Sequence, residues 1–559
     1  MKRSETKSDF GLRGGRVCGA PKSVRYLLRL SAVILVVFWF ALAAADAAAD
    51  NEKARSRAQR ALRAGDFERA EQIYRDILAK DDTDTSARLG LSQALLKQRR
   101  LQDSFDNAAR VIAVDPLSAR AHALLGSAIL GSGDFRLSVE EFRTALSLDD
   151  NEAMAIAGLA MVDYYENRLS NCVAGLRRAA NIDPDEPDYI YSLGQAAARS
   201  ERYREAADAY ERFLVIAPRT DAERRARIRG LIDFLRYLGQ QSTLYDLEGA
   251  DRTVVEFENL DNRPILRIRV NGSKDYLRFV LDTGSGMSVL SEETARKLGL
   301  KPVARGGMAR AVGGGGRFEI VYGYLNSLDI GDIRVTNVPV YIRHFFDDRN
   351  PVDGYLGIAA LGRLIASVDY GMKSLTLIRQ RNSDVDLGKL VNSETKANLQ
   401  TVQSRPGFNV PVRTTASGFL SGEILIDGIN KPLNFIIDTG ATVTVMAEKL
   451  AARDDVQPFI REGRMRVFGA AGIAEDVKMA QLPKVSVGVY SRERVDAAVL
   501  DMDPVNETAG FLQSGILGGN FLRHFRVVFD FQRAVVRLEP LEANASQIDA
   551  AKPENSVHW

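Results

Sequence analysis

Two cysteines and four histidines are all that this 559-residue chain offers for disulfides or soft-metal ligation. Cys18 lies in a basic leader, so Cys172 stands alone in the remainder and no internal disulfide can form there. His122, His344, His524 and His558 neither cluster with cysteine nor form a helical pair, so neither a metal nor any other cofactor is expected. Net charge is also small, +2 from 75 basic and 73 acidic residues, which gives no ground for a nucleic-acid partner. Long hydrophobic runs are scarce. Leu30 to Ala45 is uncharged but only sixteen residues long, against the ~20 that a spanning helix needs.

That run follows eight Lys or Arg within the first 29 residues and exits through Ala43-Ala44-Ala45 and Ala47-Ala48-Ala49. Basic region, apolar stretch and small-residue exit together read as an export signal, either cleaved or retained as a membrane anchor. Both readings put the chain after residue 50 outside the cytoplasm, which in a bacterium is the periplasm, free or anchored in the inner membrane.

Residues 53 to 240 repeat at a spacing of 34. Phe67, Leu101, Phe135, Leu169 and Tyr203 form one series; Ala70, Ser104, Ser138, Cys172 and Ala206 a second; Ala58, Ser92, Gly126, Ala160 and Gly194 a third. Small residues at two facing positions let paired helices approach closely, and Pro116, Pro184 and Pro218 fall where each repeat must end. The pattern resembles tetratricopeptide repeats through five units, departing where Asp82 and Asp150 replace the proline. Asp221 to Leu247 keeps a helical pattern and is expected to cap the array.

From Val254 the period changes to two. Ile265 to Val270 alternates, turns at Asn271-Gly272 and returns through Leu277 to Leu281, a hairpin with a favoured turn pair. Glu423 to Ile426, Asp427-Gly428 and Leu433 to Ile437 repeat that plan 156 residues later. Each hairpin ends in the same carboxylate turn, Asp282-Thr283-Gly284 and Asp438-Thr439-Gly440, and the glycine stretch Gly313 to Gly316 likewise maps onto Gly469 to Gly472. Three landmarks at one offset imply two copies of one β domain with the aspartates in equivalent places.

Two carboxyl groups that share a site cannot both ionise cheaply, so one proton is held between them and the pair offers an acid and a base at once. Asp282 and Asp438 are therefore the candidate catalytic residues, a pair able to activate water without a metal or covalent intermediate. Gly284 and Gly440 allow a sharp turn and close approach; Ser285 and Ala441 extend that tolerance, and Thr283 and Thr439 can crosslink the two turns through backbone groups.

The C-terminal half resembles a retropepsin-like aspartic protease with both halves in one chain. The resemblance implies flaps at Gly313, Gly314, Gly315 and Gly316 and at Gly469 and Gly472, and turn-bracing strands at Tyr355-Leu356-Gly357 and Ile516-Leu517-Gly518. Tyr355 and the Gly469-Ala470-Ala471-Gly472 flap are departures from the family pattern. The expected fold is multidomain: a basic leader with signal peptide or anchor (1–49), an all-α tetratricopeptide-repeat solenoid with its cap (50–247), an all-β bilobed aspartic protease (254–378 and 408–540) joined by a linker (379–407), and a polar tail (541–559). The expected function is peptide-bond hydrolysis by an aspartic-type endopeptidase, with an extended peptide as substrate and a protein partner on the repeats. The alternative is a non-catalytic peptide-binding or scaffold protein on the same fold, and like lobes could also pair across two chains.

Overall fold

The computed structural model describes residues 50–347, 350–380 and 407–541. The leader, nearly all of the linker and all but the first residue of the tail lie outside the described residues. Among those described, no helix is long and apolar enough to cross a membrane.

Eleven consecutive helices build the N-terminal unit: α1 (50–64), α2 (Phe67–Leu78), α3 (Thr85–Lys97), α4 (Leu101–Val114), α5 (Ala119–Ser132), α6 (Phe135–Leu148), α7 (Ala153–Tyr165), α8 (Leu169–Ile182), α9 (Pro187–Arg199), α10 (Tyr203–Ile216) and α11 (Ala222–Leu238). The first ten form five antiparallel pairs, one per repeat. The 34-residue series explains the pairing. Phe67, Leu101, Phe135, Leu169 and Tyr203 open the second helix of each pair, and Ala70, Ser104, Ser138, Cys172 and Ala206 are fully buried. A side chain at Gly126 or Gly194 would collide with the ring of Phe142 or Tyr210. At the tight turn inside each pair the backbone is left-handed at Gly65, Arg99, Gly133, Asn167 and Glu201, and the prolines at 116, 184 and 218 stand two residues past their helices. Asp66, Asp84, Ser118, Asp134 and Asp221 cap helix N-termini, each worth about 1 kcal/mol. The array completes a turn: Gly65 in the first repeat abuts Pro218 and Thr220 after the fifth, and Lys97 of α3 crosses the inner face to pair with Glu186 at 2.6 Å and Asp188 at 2.7 Å.

The β half has two like lobes. In the first, the antiparallel Arg263–Val270 and Leu277–Leu281 strands are extended by a parallel pairing of Leu277–Leu281 with Gly354–Leu356. In the second, Leu420–Ile426, Leu433–Ile437 and Gly515–Leu517 repeat that arrangement. Asn271 and Gly272 both have positive φ, as the hairpin turn requires. Six strands then join the lobes, in the order Arg252–Glu256, Ser374–Arg379, Leu364–Asp369, Phe525–Asp530, Val535–Pro540 and Phe408–Thr414. The central pairing is antiparallel and crosses between lobes, with Ser367 opposite Val528, and Arg526 donates to Asp369 across it at 2.8 Å. One apolar core runs through both lobes.

The boundary between solenoid and lobes differs from the sequence expectation. The capping helix stops at Leu238, and Asp246–Gly249 is already an edge strand of the first lobe, paired with Ile333–Arg343. Four residues, mostly exposed, leave no periodic signal to read.

The solenoid is seated on both lobes. Phe511 of the second lobe is fully buried in the solenoid core, edge-on to Phe135 at 4.9 Å and Tyr165 at 5.1 Å. On the other side α11 lies against the Ala304–Arg310 strand of the first lobe. Its Gly230 is so close to the Arg305 carbonyl and Gly306 that no side chain fits, Arg227 donates to the Met308 carbonyl at 3.0 Å, and Glu223 pairs with Arg317.

Candidate active site

Both carboxylate turns hang from the parallel strand pairs. The Asp282 amide donates to the Leu356 carbonyl and the Asp438 amide to the Leu517 carbonyl, each at 3.0 Å. Gly357 and Gly518 follow those carbonyls and press on the next loop so closely that a side chain at either would strike backbone, at Met287 and Val443. Leu356 and Leu517 are buried beneath. The four residues expected to brace the turns therefore sit directly under them.

The two turns meet within one chain. Thr283 Oγ1 donates to the Ile437 carbonyl at 2.8 Å and accepts from the Thr439 amide at 3.0 Å. Reciprocally, Thr439 Oγ1 donates to the Leu281 carbonyl at 2.6 Å and accepts from the Thr283 amide at 3.2 Å. Both threonines are buried, and a broken member of such a network would cost about 1 to 3 kcal/mol. Pairing across two chains is not needed to complete the site.

This crosslink sets the carboxyl groups side by side. The Gly284 amide donates to Asp282 Oδ1 at 2.9 Å and to Asp438 Oδ1 at 3.2 Å, and the Gly440 amide donates to Asp438 Oδ1 at 2.7 Å. A Cβ on Gly284 would collide with the Asp438 carboxyl, and one on Gly440 would lie 2.5 Å from Asp282 Oδ1. The lobes differ at the next position. Ser285 Oγ donates to Asp282 Oδ2 at 2.6 Å, whereas Ala441 has no hydroxyl to offer.

Burial raises both acids above the usual carboxylate range. For Asp282 the rise is opposed by the Ser285 hydroxyl, Asp438, the Gly284 amide and the nearby Arg263. For Asp438 the Asp282 charge adds to burial, and its acidity falls well below that of an ordinary carboxyl. The Ser285 hydroxyl, which has no counterpart at Ala441, favours the charge on Asp282 and leaves the shared proton to Asp438.

Each lobe also carries a long hairpin, Ala304–Arg310 with Arg317–Ile330 and Ile460–Gly469 with Gly472–Val487. Their tips touch: a Cβ on Gly313 would lie 2.7 Å from Gly469 Cα, and Gly314 abuts Gly472. Gly316 abuts the Ala471 carbonyl, while Gly315 faces open space. Positive φ at Gly313, Gly314, Gly315 and Gly472 suits glycine at these bends.

Residues 266–360 match the aspartyl protease family model and residues 423–524 that of the gag-polyprotein aspartyl proteases. The tetratricopeptide-repeat models match residues 61–128 and 172–220. This is a retropepsin-like protease fold behind tetratricopeptide repeats. Among curated proteins, anaphase-promoting complex subunit 3 of Schizosaccharomyces pombe is 26% identical over 151 residues, 27% of this chain. The chain spans only about a fifth of that relative's length, 21%. Solved structures similar to the repeat region include a thermophilic tetratricopeptide-repeat protein of Thermus thermophilus, 18% identical, with a TM-score of 0.29, covering 33% of this chain and 98% of that one. MamA of Desulfovibrio magneticus is 19% identical, with a TM-score of 0.22, covering 30% and 94%.

Beside the protease pair the structure brings further residues that the sequence did not single out for a role there. Tyr355, expected only in the turn-bracing strand and as a departure from the family pattern, forms an edge contact with Phe345 at 5.0 Å and senses the Asp282 charge. Arg343 acts on the same two groups. Arg343 ends the Ile333–Arg343 strand and Tyr355 is the middle residue of Gly354–Leu356, and spacing alone does not reveal which way they face. His524 instead packs in the second lobe, where burial and the neighbouring Arg492 and Arg523 hold it down to about 4. No group of metal-ligating side chains occurs among the described residues.

Proposed function

We propose that the chain is an exported aspartic endopeptidase whose repeat array engages a protein substrate or partner. The observation that carries this reading is the pair Asp282 and Asp438, held together by reciprocal threonine hydrogen bonds. Ionised Asp282 takes a proton from a water between the carboxyls as the water oxygen attacks the amide carbonyl carbon. Asp438 gives its proton to the carbonyl oxygen. In the resulting tetrahedral diol, a proton passes to the amide nitrogen, the carbon–nitrogen bond breaks, and acid and amine products leave. The peptide would lie extended beneath the hairpins, where strand-like pairing supplies affinity and alternate pockets selectivity. The basic leader and apolar run support delivery to the periplasm, with or without a retained anchor.

Cleavage of casein by the purified protein across about pH 3 to 8, beside Asp282→Asn and Asp438→Asn, tests the reading. Product from the wild type and from neither variant is expected. Casein bound but left intact would assign the fold to peptide binding instead.

A further inference from the structure

The strands flanking the two aspartates are equivalent in the two lobes but carry different chemistry. In the first lobe, Ser288–Ser291 pairs in parallel with Val340–Arg343, so that Ser291 lies opposite Arg343. In the second, Thr444–Ala447 pairs in parallel with Ala497–Leu500, so that Ala447 lies opposite Leu500. Tyr355 pairs with Val280 beside the first catalytic turn, and Ile516 pairs with Ile436 beside the second. Phe318, two residues beyond the first flap's last glycine, corresponds to Ala474 in the second flap. Arginine, tyrosine and phenylalanine thus face leucine, isoleucine and alanine across the pseudo-two-fold.

Arg343 is half-buried, with its guanidinium carbon 4.2 Å from the centre of the Phe318 ring. The ring holds the cation against the flap by a cation–π contact. Among the described residues it makes no ion pair, and the charges that act on it are those of Tyr355 and Asp282. Arg263, whose charge also acts on Asp282, lies 3.7 Å from the Asp347 carboxylate. Arg343 is therefore a partly desolvated cation at the edge of the reaction centre, set against an aromatic floor, and among the described residues no carboxylate lies within ion-pair distance of it. A planar guanidinium fork is best satisfied by a carboxylate that takes two parallel hydrogen bonds.

We propose that Arg343 binds an acidic side chain of the substrate, so that the scissile bond has Asp or Glu on one fixed side and an aliphatic residue, received by Leu500 and Ile516, on the other. This rests on the peptidase reading above but assigns the selectivity to residues outside the catalytic turns. Tyr355 and Phe345 form the apolar wall along which the acidic side chain's methylenes pack.

The test has two arms. The full-length protein, its Arg343→Leu variant (the residue its pseudo-two-fold mate carries) and Arg343→Lys are incubated with a peptide pool prepared from a digested proteome, and the products are sequenced by mass spectrometry. Wild-type products are expected to show Asp or Glu enriched on one side of the cut by about tenfold or more, Arg343→Leu to lose that enrichment, and Arg343→Lys to keep part of it. In the second arm, Asp438→Asn with and without Arg343→Leu is titrated with fluorescent decapeptides differing only in Glu or Gln. Tighter binding of the Glu peptide, by about tenfold and only when Arg343 is present, supports the assignment even if the wild type hydrolyses nothing, an outcome that would sink the peptidase reading alone. Cleavage without acidic enrichment, an enrichment that survives Arg343→Leu in a folded variant, or equal binding of the two peptides overturns it.

Discussion

Phe234 of α11 lies nearly flat on Tyr322 of the first flap hairpin, with ring centroids 4.2 Å apart and planes 18° from parallel. Leu238 and Leu244 join the same apolar cluster, which reaches Met287 in the loop after Asp282. The last helix of the solenoid thus braces one flap from behind, while the Ile460–Gly469 strand of the other is largely exposed. Phe234→Ala removes a buried stacked ring, a loss of about 3 to 5 kcal/mol for any opening that breaks the contact. Amide hydrogen exchange within 304–330 should then quicken by about a hundredfold or more. The second hairpin, 460–487, serves as the internal control and should exchange as in the wild type.

The hydroxyl of Ser285 and the methyl of Ala441 make the pair unequal. Ser285 favours the ionised form of Asp282, so Ser285→Ala should let Asp282 keep its proton to a higher pH. The acidic limb of the kcat/KM profile is expected to move up by about one pH unit, with the alkaline limb, set by loss of the Asp438 proton, moving less. Profiles of wild type and variant measured in one buffer series decide this; an acidic limb displaced downward would contradict it.

Asp438 also links the site to stability. Its acidity is weaker folded than unfolded, so the unfolded chain gives up this proton first. The associated stability is fully present below the ordinary carboxyl value of about 3.9 and is lost as pH rises through the raised folded value. Asp438→Asn removes that loss along with activity. Its melting temperature relative to the wild type should therefore climb from about pH 4 towards neutrality, as differential scanning calorimetry would show. A difference that stays flat would argue that the pair holds no shared proton.

Phe511 carries much of the other seam. Replacing a fully buried phenylalanine by alanine costs about 3 to 5 kcal/mol, here concentrated where Phe135, Tyr165 and the second lobe meet. Phe511→Ala should lower the melting temperature and divide one calorimetric transition into two, solenoid and lobes unfolding separately. A single transition at the wild-type temperature would show that the remaining contacts suffice.

Much of this was legible in the chain because the informative patterns are local and repeated. Tyr203 and Phe67 announce helix starts by period, and Asp282 and Asp438 announce each other by offset. What stayed hidden depends on partners distant in sequence. Leu364–Asp369 and Phe525–Asp530 are both apolar, yet nothing in either names the other as the neighbour across the lobes. Gly230 looks like a weak point in a helix, and only the Arg305 backbone against it explains why it is bare. Asp246–Gly249 is too short and too polar to signal a strand. The roles of Arg343 and Leu500 emerge only when the two lobes are laid on one axis.

Because both carboxylate turns belong to one chain, the halves of the cleft are free to diverge. A site made from two identical chains meets a peptide equally well in either sense, since turning the substrate end for end presents it with the same walls. Here Ser285 faces Ala441, Tyr355 faces Ile516 and one flap is braced while its mate is largely exposed. On the peptidase reading, a peptide laid N to C and the same peptide laid C to N are different ligands for this cleft. The duplication within a single polypeptide therefore gives it a sense of chain direction.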